Sequence, residues 1–278
     1  MDDAASGTSR RKALYLMGAA AAGLAALGAD GVPAARGSQA APPPAVPRPR
    51  AVIHPKPTPT PTPKPRPAAW TPAKLTTVKP EPIRELTELV PPPPANAIAL
   101  TIDDGPSPLW TPRVLDLLAK EDVKATFFII GEQVEEYPRL TRRIADEGHQ
   151  ICNHTMTHPI DIAHLSKKKV RQEIVDAHDR IANVTGVVPQ FFRAPGGNWS
   201  ERVLDLVTEH DMIPVDWAVD PRDWERPGVG RIRRSLLDGK AGNILLCHDG
   251  GGDRSQTLKA LEGVIPKMKK RGLAFVAL

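Results

Sequence analysis

Short apolar runs alternate with amphipathic stretches from about residue 97 to the end of the 278-residue chain. Runs rich in aliphatic and aromatic residues predict seven strands, at 97–102, 125–130, 150–153, 190–193, 212–216, 243–247 and 273–277. Apolar positions at helical spacing predict helices at 111–120, 138–147, 166–185, 201–209 and 257–271. This alternation predicts an α/β fold, either a parallel barrel or a doubly wound sheet, with active residues at the carboxyl ends of the strands.

The first third of the chain has a different composition. Most of the 31 prolines precede residue 95, and residues 42–67 repeat Thr-Pro and Lys-Pro without apolar periodicity. Such a segment cannot bury a core and is typical of a disordered or polyproline II linker. We therefore predict a proline-rich linker at 41–95 and one compact domain at 96–278, which is long enough to bury a core.

The N-terminus has the pattern of a targeting segment. A Ser-Arg-Arg-Lys sequence at 9–12 precedes an apolar stretch at 13–29 that is rich in alanine and glycine and short for a membrane-spanning helix. This pattern predicts a twin-arginine type of signal at 1–40 and export to the cell wall or the extracellular space. An uncleaved segment that anchors the protein to a membrane is the alternative.

The charge of the chain is concentrated before the compact domain. Lysine and arginine minus aspartate and glutamate give 12 − 6 = +6 for residues 1–95 and 25 − 26 = −1 for residues 96–278. We expect the basic linker to contact an anionic wall polymer or membrane surface, although its charge would also simply keep it extended. The near-neutral domain lacks a nucleic-acid footprint, and we expect it to be a monomer.

Two adjacent carboxylates, Asp103 and Asp104, follow the first predicted strand. Like charges this close resist joint ionisation unless a cation neutralises them. His154 and His158 are four residues apart and can lie on one side of a helical or turn-like loop, so with Asp104 they would form a two-histidine, one-carboxylate metal site. A divalent ion in such an open site activates water for hydrolysis, and Asp103 would be the general base. Alternatively, both histidines only stabilise a turn.

Arg193 ends another apolar strand, where an unpaired guanidinium would be costly. Asp103 is the partner that also makes mechanistic sense, and a structural pair with Asp220 or Asp223 is the alternative. The turn after Arg193, Pro-Gly-Gly at 195–197, can direct a backbone N–H at a developing oxyanion.

His248 follows a buried-strand pattern and is the candidate general acid. Asp223 is the carboxylate that we expect to orient it. Trp217 and Trp224 would form the wall of a sugar-binding groove, unless they pack in the core. The two cysteines, Cys152 and Cys247, follow the pattern of buried core residues, and whether they pair is left open.

Five short motifs together resemble those of the polysaccharide deacetylase (NodB-homology) family, carbohydrate esterase family four. They are TIDDGP at 101–106, HTMTH at 154–158, RAPGG at 193–197, DPRDW at 220–224 and LCH at 246–248. The resemblance covers about residues 96–278. It implies a distorted (β/α) barrel of about seven parallel strands and metal-dependent removal of N- or O-acetyl groups from a glycan, with zinc most expected and cobalt or manganese as alternatives.

The resemblance also implies residue roles. Asp103 would be the base, and His248 would be the acid. The metal ligands would be Asp104, His154 and His158, while Arg193 would support the base and Asp223 the acid. The residues that would bind the substrate are Pro195, Gly196, Trp224 and Leu246. Many members have an aromatic residue where this chain has Gly196, so one wall of the groove is lost and the substrate preference is open.

We therefore expect an exported deacetylase that acts on an N-acetylglucosamine-containing polymer. Peptidoglycan is favoured because a basic linker would let the domain reach through a wall. Chitooligosaccharide or acetylxylan is the alternative substrate. An inactive glycan-binding wall module is the rival from a different class, and a non-haem iron oxygenase shares the ligand types.

Overall fold

The computed structural model describes residues 74–75 and 81–278 of the chain. The predicted signal at 1–40 and most of the predicted linker lie outside the described residues.

A parallel sheet of seven strands forms the centre of the domain. The short strands β1 (Lys74–Leu75) and β2 (Leu89–Val90) precede it and pair antiparallel with each other. The strands of the parallel sheet are β3 (Ala97–Asp103), β4 (Thr126–Ile129), β5 (Gln150–Asn153), β6 (Phe191–Phe192), β7 (Ile213–Pro214), β8 (Ile244–His248) and β9 (Ala274–Val276). Their order in the sheet is β7-β6-β5-β4-β3-β8, and β9 pairs with the first residues of β3. All seven predicted strands are present, and the expected α/β fold, a distorted (β/α) barrel of about seven parallel strands, is confirmed.

Helices connect the parallel strands and pack on the sheet, which helps to bury every residue of its central strands β3 and β4. They are α1 (Thr111–Glu121), α2 (Gly131–Glu136), α3 (Pro138–Asp146), α4 (Lys167–Arg171), α5 (Ala177–Thr185), α6 (Glu201–Glu209), α7 (Val229–Leu237) and α8 (Ser255–Lys270). Sequence periodicity missed α2 and α7, which are short and contain glycine, a weak helix former. No helix in the described part of the chain is long and apolar enough to span a membrane.

One predicted helix, 166–185, has an irregularity that its sequence did not reveal. Its α4 and α5 parts are separated by a π-helical segment, Gln172–Asp176. Such segments are rare and occur mostly as single turns inside α-helices. The segment packs beside the loop that carries the two predicted histidine ligands.

The residues before β3 bridge the gap between β7 and β8, the two edges of the sheet. Ile83 donates its backbone N–H to the carbonyl of Pro214 (3.0 Å), and Leu86 donates to Gly242 just before β8 (2.7 Å). Both side chains are at most 1% exposed. The prediction that the linker extends to residue 95 is therefore wrong for residues 81–90, because apolar side chains among the prolines pack against the core.

The two cysteines are free and buried. Cys152 lies in β5 and Cys247 in β8, with β4 and β3 between them in the sheet. Neighbouring strands are about 4.8 Å apart, so this separation exceeds what a disulfide can bridge. Both cysteines are core residues.

Candidate active site

Asp104, His154 and His158 meet at the carboxyl ends of β3 and β5. Their potential ligand atoms all lie within 4.8 Å of one another. The Asp104 Oδ1 atom is 3.1 Å from His158 Nε2 and 3.5 Å from His154 Nε2. Burial works to raise the pKa of Asp104, but hydrogen bonds from the two histidines hold it well below its usual value. The Asp104 carboxylate is thus kept ionised next to two imidazoles that could bind a cation together with it.

The loop that carries the two histidines is a turn and not a helix. Thr155 and His158 have φ values of 69° and 60°, in the left-handed region that side chains other than glycine seldom adopt. Two hydrogen bonds hold this shape: the Thr155 N–H donates to Asn153 Oδ1 (2.9 Å), and the His158 N–H donates to Thr155 Oγ1 (3.0 Å). The turn brings the imidazoles side by side, with ring centroids 4.9 Å apart.

The tautomer of His154 is fixed by the backbone. Its Nδ1 lies 2.8 Å from the carbonyl oxygen of Arg193, which can only accept, so Nδ1 carries the proton. When a cation is bound, Nε2 is therefore the ring atom that would offer its lone pair within the cluster. Two imidazoles and one carboxylate in this arrangement fit zinc and similar divalent ions, and the carbonyl that orients His154 is typical of the surroundings of metal-binding histidines.

Asp103 is held by Arg193, a fully buried guanidinium. The Arg193 NH1 atom donates to Asp103 Oδ1 (2.7 Å) and to Thr101 Oγ1 (2.8 Å), and NH2 donates to the backbone oxygen of Asp216 (2.8 Å). Arg193 therefore pairs with the carboxylate that we preferred from the sequence. The other carboxylate oxygen of Asp103, Oδ2, lies 3.8 Å from His154 Nε2 and faces the three-residue cluster.

His248, at the end of β8, is bound to Asp223 through two contacts. Its Nδ1 lies 2.7 Å from Asp223 Oδ1, and its backbone N–H donates to Asp223 Oδ2 (3.0 Å), which also accepts from the Thr257 hydroxyl (2.7 Å). Burial works to lower the pKa of His248, but the hydrogen bond and charge of Asp223, followed by Asp104 and Asp103, raise it to about 9. His248 is therefore protonated at neutral pH, and its Nε2 is left for a substrate.

These groups share a cavity of about 470 Å³. It is lined by Asp103, Asp104, His154, His158, Ile160, Gly196, Trp217, Asp220, Trp224, Leu246 and His248. Of the predicted substrate-binding residues, Gly196, Trp224 and Leu246 line the cavity, whereas Pro195 is buried in its turn and is not among the lining residues. Trp224 and Ile160 are about half exposed at its rim, and Ile160 was not predicted from the sequence.

Asp249 is a buried carboxylate that the sequence analysis did not select. It accepts a hydrogen bond from Thr111, and its backbone N–H donates to the carbonyl of Asp103 (3.1 Å). Burial, and then the charges of Asp104 and Asp103, raise its pKa to about 7 against the effect of the Thr111 hydroxyl. A Cβ atom at Gly105 would lie 2.3 Å from Asp249 Oδ1, which explains the glycine after the aspartate pair. The only feature of the sequence that could have pointed to Asp249 as a residue of the site is its position directly after His248.

The fold and this site define a (β/α) domain that places candidate proton-transfer groups beside an Asp-His-His cluster. The family model described as polysaccharide deacetylase matches residues 91–215. The chain belongs to this family, the polysaccharide deacetylases of carbohydrate esterase family four, as its five motifs indicated.

Two relatives and one solved structure illustrate the similarity. The chain is 43% identical over 190 residues to a chitooligosaccharide deacetylase of Bradyrhizobium sp., covering 64% of this chain and 86% of the relative. It is 42% identical over 182 residues to a peptidoglycan-N-acetylglucosamine deacetylase of Bacillus cereus, covering 64% and 84%. A crystal structure of a peptidoglycan N-acetylglucosamine deacetylase matches with 37% identity and a TM-score of 0.64, covering 66% of this chain and 88% of that one.

Proposed function

We propose that this chain is a metal-dependent deacetylase that removes N-acetyl groups from an N-acetylglucosamine-containing polysaccharide, with peptidoglycan as the favoured polymer. The observation that carries the proposal is that three groups of side chains meet at one cavity. An Asp-His-His cluster, the Asp103–Arg193 pair and the His248–Asp223 pair supply a cation site, a base and an acid. Zinc is the ion that suits the donors best, with cobalt and manganese as alternatives.

Asp103 is the general base in this proposal. A divalent cation bound by Asp104, His154 and His158 would supply Lewis acidity that activates water and polarises the acetyl carbonyl. Because Arg193 occupies Asp103 Oδ1, the Oδ2 atom is the one that accepts the water proton. The same guanidinium fixes the direction of the Asp103 carboxylate, so the base is oriented before the substrate binds.

His248 is the general acid. Asp223 occupies Nδ1 of the protonated ring, so the proton on Nε2 goes to the departing amine of the sugar. The backbone N–H of Gly196, in the wall of the cavity, is the donor that we assign to the acetyl oxygen as it becomes negative. Trp217 and Trp224 supply flat apolar surface on which a sugar ring can lie.

The first part of the chain supports the proposed polymer and the proposed location of the enzyme. Residues 41–80 contain seven lysines and arginines and no aspartate or glutamate, 7 − 0 = +7, and they are rich in proline, which suits a spacer that reaches through an anionic wall. We infer export by the predicted signal at 1–40, with an uncleaved anchor as the alternative. The two relatives described above are named for chitooligosaccharide and for peptidoglycan, so both polymers belong in the test.

Acetate release from three polymers tests the proposal. Purified protein with measured metal content is incubated with peptidoglycan, chitooligosaccharide and acetylxylan, and the same assays are run with Asp103→Asn. We expect release from peptidoglycan at the highest rate, and a loss of release in the variant while its metal content is unchanged. A faster reaction on another polymer would correct the substrate. Glycan binding without acetate release from any of the three would instead identify an inactive wall-binding module.

A further inference from the structure

The π-helical segment Gln172–Asp176 contacts the loop that carries both histidines of the Asp-His-His cluster. It interrupts a helix that otherwise continues from α4 into α5. Such segments are often found at functional sites, because the extra residue in the turn changes which groups the helix presents. Two of its residues, Glu173 and Ile174, hydrogen-bond to residues adjacent to the histidines.

Glu173 binds the loop next to His158 with both carboxylate oxygens. Its Oε2 accepts the backbone N–H of Thr157 (2.8 Å), and its Oε1 accepts the Thr157 hydroxyl (2.7 Å). The Glu173 side chain is only 9% exposed, and hydrogen bonds to a charged acceptor are stronger than neutral ones. One carboxylate thereby fixes both the backbone and the side chain of the residue that precedes a ligand.

Ile174 binds the other end of the loop, next to His154. Its carbonyl oxygen accepts from the Asn153 side-chain amide (2.8 Å), and the Oδ1 atom of the same amide accepts from Thr155 (2.9 Å). The Thr155 hydroxyl in turn accepts the N–H of His158 (3.0 Å). The π-helical segment is thus connected by hydrogen bonds to the neighbours of both histidines.

We propose that Glu173 is a positioning residue for metal binding, which keeps the 154–158 loop in its ligand geometry through Thr157. The loop needs such support because Thr155 and His158 both have left-handed backbone conformations, which side chains other than glycine resist. Without Glu173 the loop would populate other conformations, and binding the ion would restore this one only in part. The result is a weaker metal site that has the same ligands in an altered geometry.

The proposal rests on the metal site in the proposed function, so its test measures metal affinity in the absence of any glycan. Full-length protein is freed of metal with a chelator and titrated with zinc by calorimetry. The variants are Glu173→Ala and Glu173→Gln, and the matched control is Gln172→Ala, an exposed neighbour in the same π-helical segment. We expect Glu173→Ala to raise the Kd for zinc about 10- to 100-fold, as is typical when a group that orients a ligand is lost. Glu173→Gln keeps one acceptor oxygen, so its Kd for zinc should lie between those of Glu173→Ala and the wild type. The Kd of the Gln172→Ala control should stay within about twofold of the wild-type value.

Cobalt spectra and a second position separate positioning from general destabilisation. At saturating cobalt, Glu173→Ala should show an altered visible spectrum, whereas Gln172→Ala should match the wild type. Thr157→Val removes the hydroxyl that Glu173 binds, and the double variant with Glu173→Ala should bind zinc no more weakly than Glu173→Ala alone. If Glu173→Ala does not fold, Glu173→Gln and Thr157→Val give the same readouts.

Zinc affinity within twofold of the wild type in Glu173→Ala, or an unchanged cobalt spectrum, would overturn the proposal. So would a wild-type chain that binds no divalent ion. Failure of acetate release alone would count against the proposed function, and the measured zinc affinities of these variants would still decide whether Glu173 positions the loop.

Discussion

Replacing Asp223 with asparagine should lower the rate of deacetylation strongly at high pH and only slightly at low pH. The substitution keeps the shape of the side chain but removes the charge that His248 contacts at 2.7 Å. In the folded protein, burial works to lower the pKa of His248 and Asp223 is the foremost group that raises it, to about 9. Without this partner the pKa falls, so the acid loses its proton at a lower pH.

The size of the effect follows from the two pKa values. With a pKa of about 9, roughly three quarters of His248 is protonated at pH 8.5, whereas with the ordinary value of 6.5 only about 1% is. The variant should therefore lose roughly 80-fold in activity at pH 8.5 from protonation alone. At pH 6 the same calculation gives a loss of only about 1.3-fold. Any misorientation of the ring adds a factor that is equal at both pH values.

The assay is kcat/KM for acetate release from a soluble chitooligosaccharide between pH 5.5 and 9.5. The ratio of wild-type to variant activity should rise steeply with pH, because the alkaline limb of the profile moves to lower pH in the variant. Glu225→Gln is the matched control, since it removes an acidic charge from the same turn without contacting His248. Parallel pH profiles for the wild type and Asp223→Asn would refute the assignment of His248 as the acid.

Three further substitutions test other parts of the structure. Asp104→Asn should weaken zinc binding in calorimetry, whereas Asp103→Asn should bind zinc normally and lose about 10²- to 10⁴-fold in turnover. Equal zinc affinities of the two variants would contradict the assignment of Asp104 as ligand and Asp103 as base. Arg193→Met leaves the 2%-exposed Asp103 without its cation and should lower the free energy of unfolding by about 3–5 kcal/mol in urea titrations, so an unchanged midpoint would speak against the pair as a buried ion pair. Leu86→Ala should cost about 2–5 kcal/mol by the same measurement if residues 81–90 belong to the core, and nothing if they are a linker.

Much of the sheet could be predicted because its central strands are buried on both faces. Parallel strands of this kind appear as continuous apolar runs, which a sequence displays directly. The run at 97–102 corresponds to the observed β3, Ala97–Asp103, and the run at 150–153 matches β5. Periodicity was less informative for α7, whose only fully buried side chains are Ile232 and Leu236 in a stretch that contains glycine.

The chemistry at the strand ends was also visible in the sequence. A charged residue directly after a buried strand is costly unless it has a partner, so Asp103, Asp104, Arg193 and His248 stood out by position. Their neighbours in the five motifs indicated the family, which the similarity to known deacetylases confirmed. Local sequence therefore determined the fold class and the residues on which to look for a site.

Only the tertiary structure decided how these residues are paired and supported. The choice of Asp103 over Asp220 or Asp223 as the partner of Arg193 depends on which strands are neighbours, which no local pattern encodes. The same holds for Glu173, which lies in a helix and reaches the histidine loop through a contact between residues 16 positions apart. Burial of Ile83, Leu86, Leu89 and Asp249 likewise depends on side chains that meet only after the sheet has curled. The sequence thus identified the reactive groups, because a charged side chain at the end of an apolar strand is recognisable from its neighbours in the chain. The fold decided which partners these groups have, because contact and desolvation depend on the whole domain.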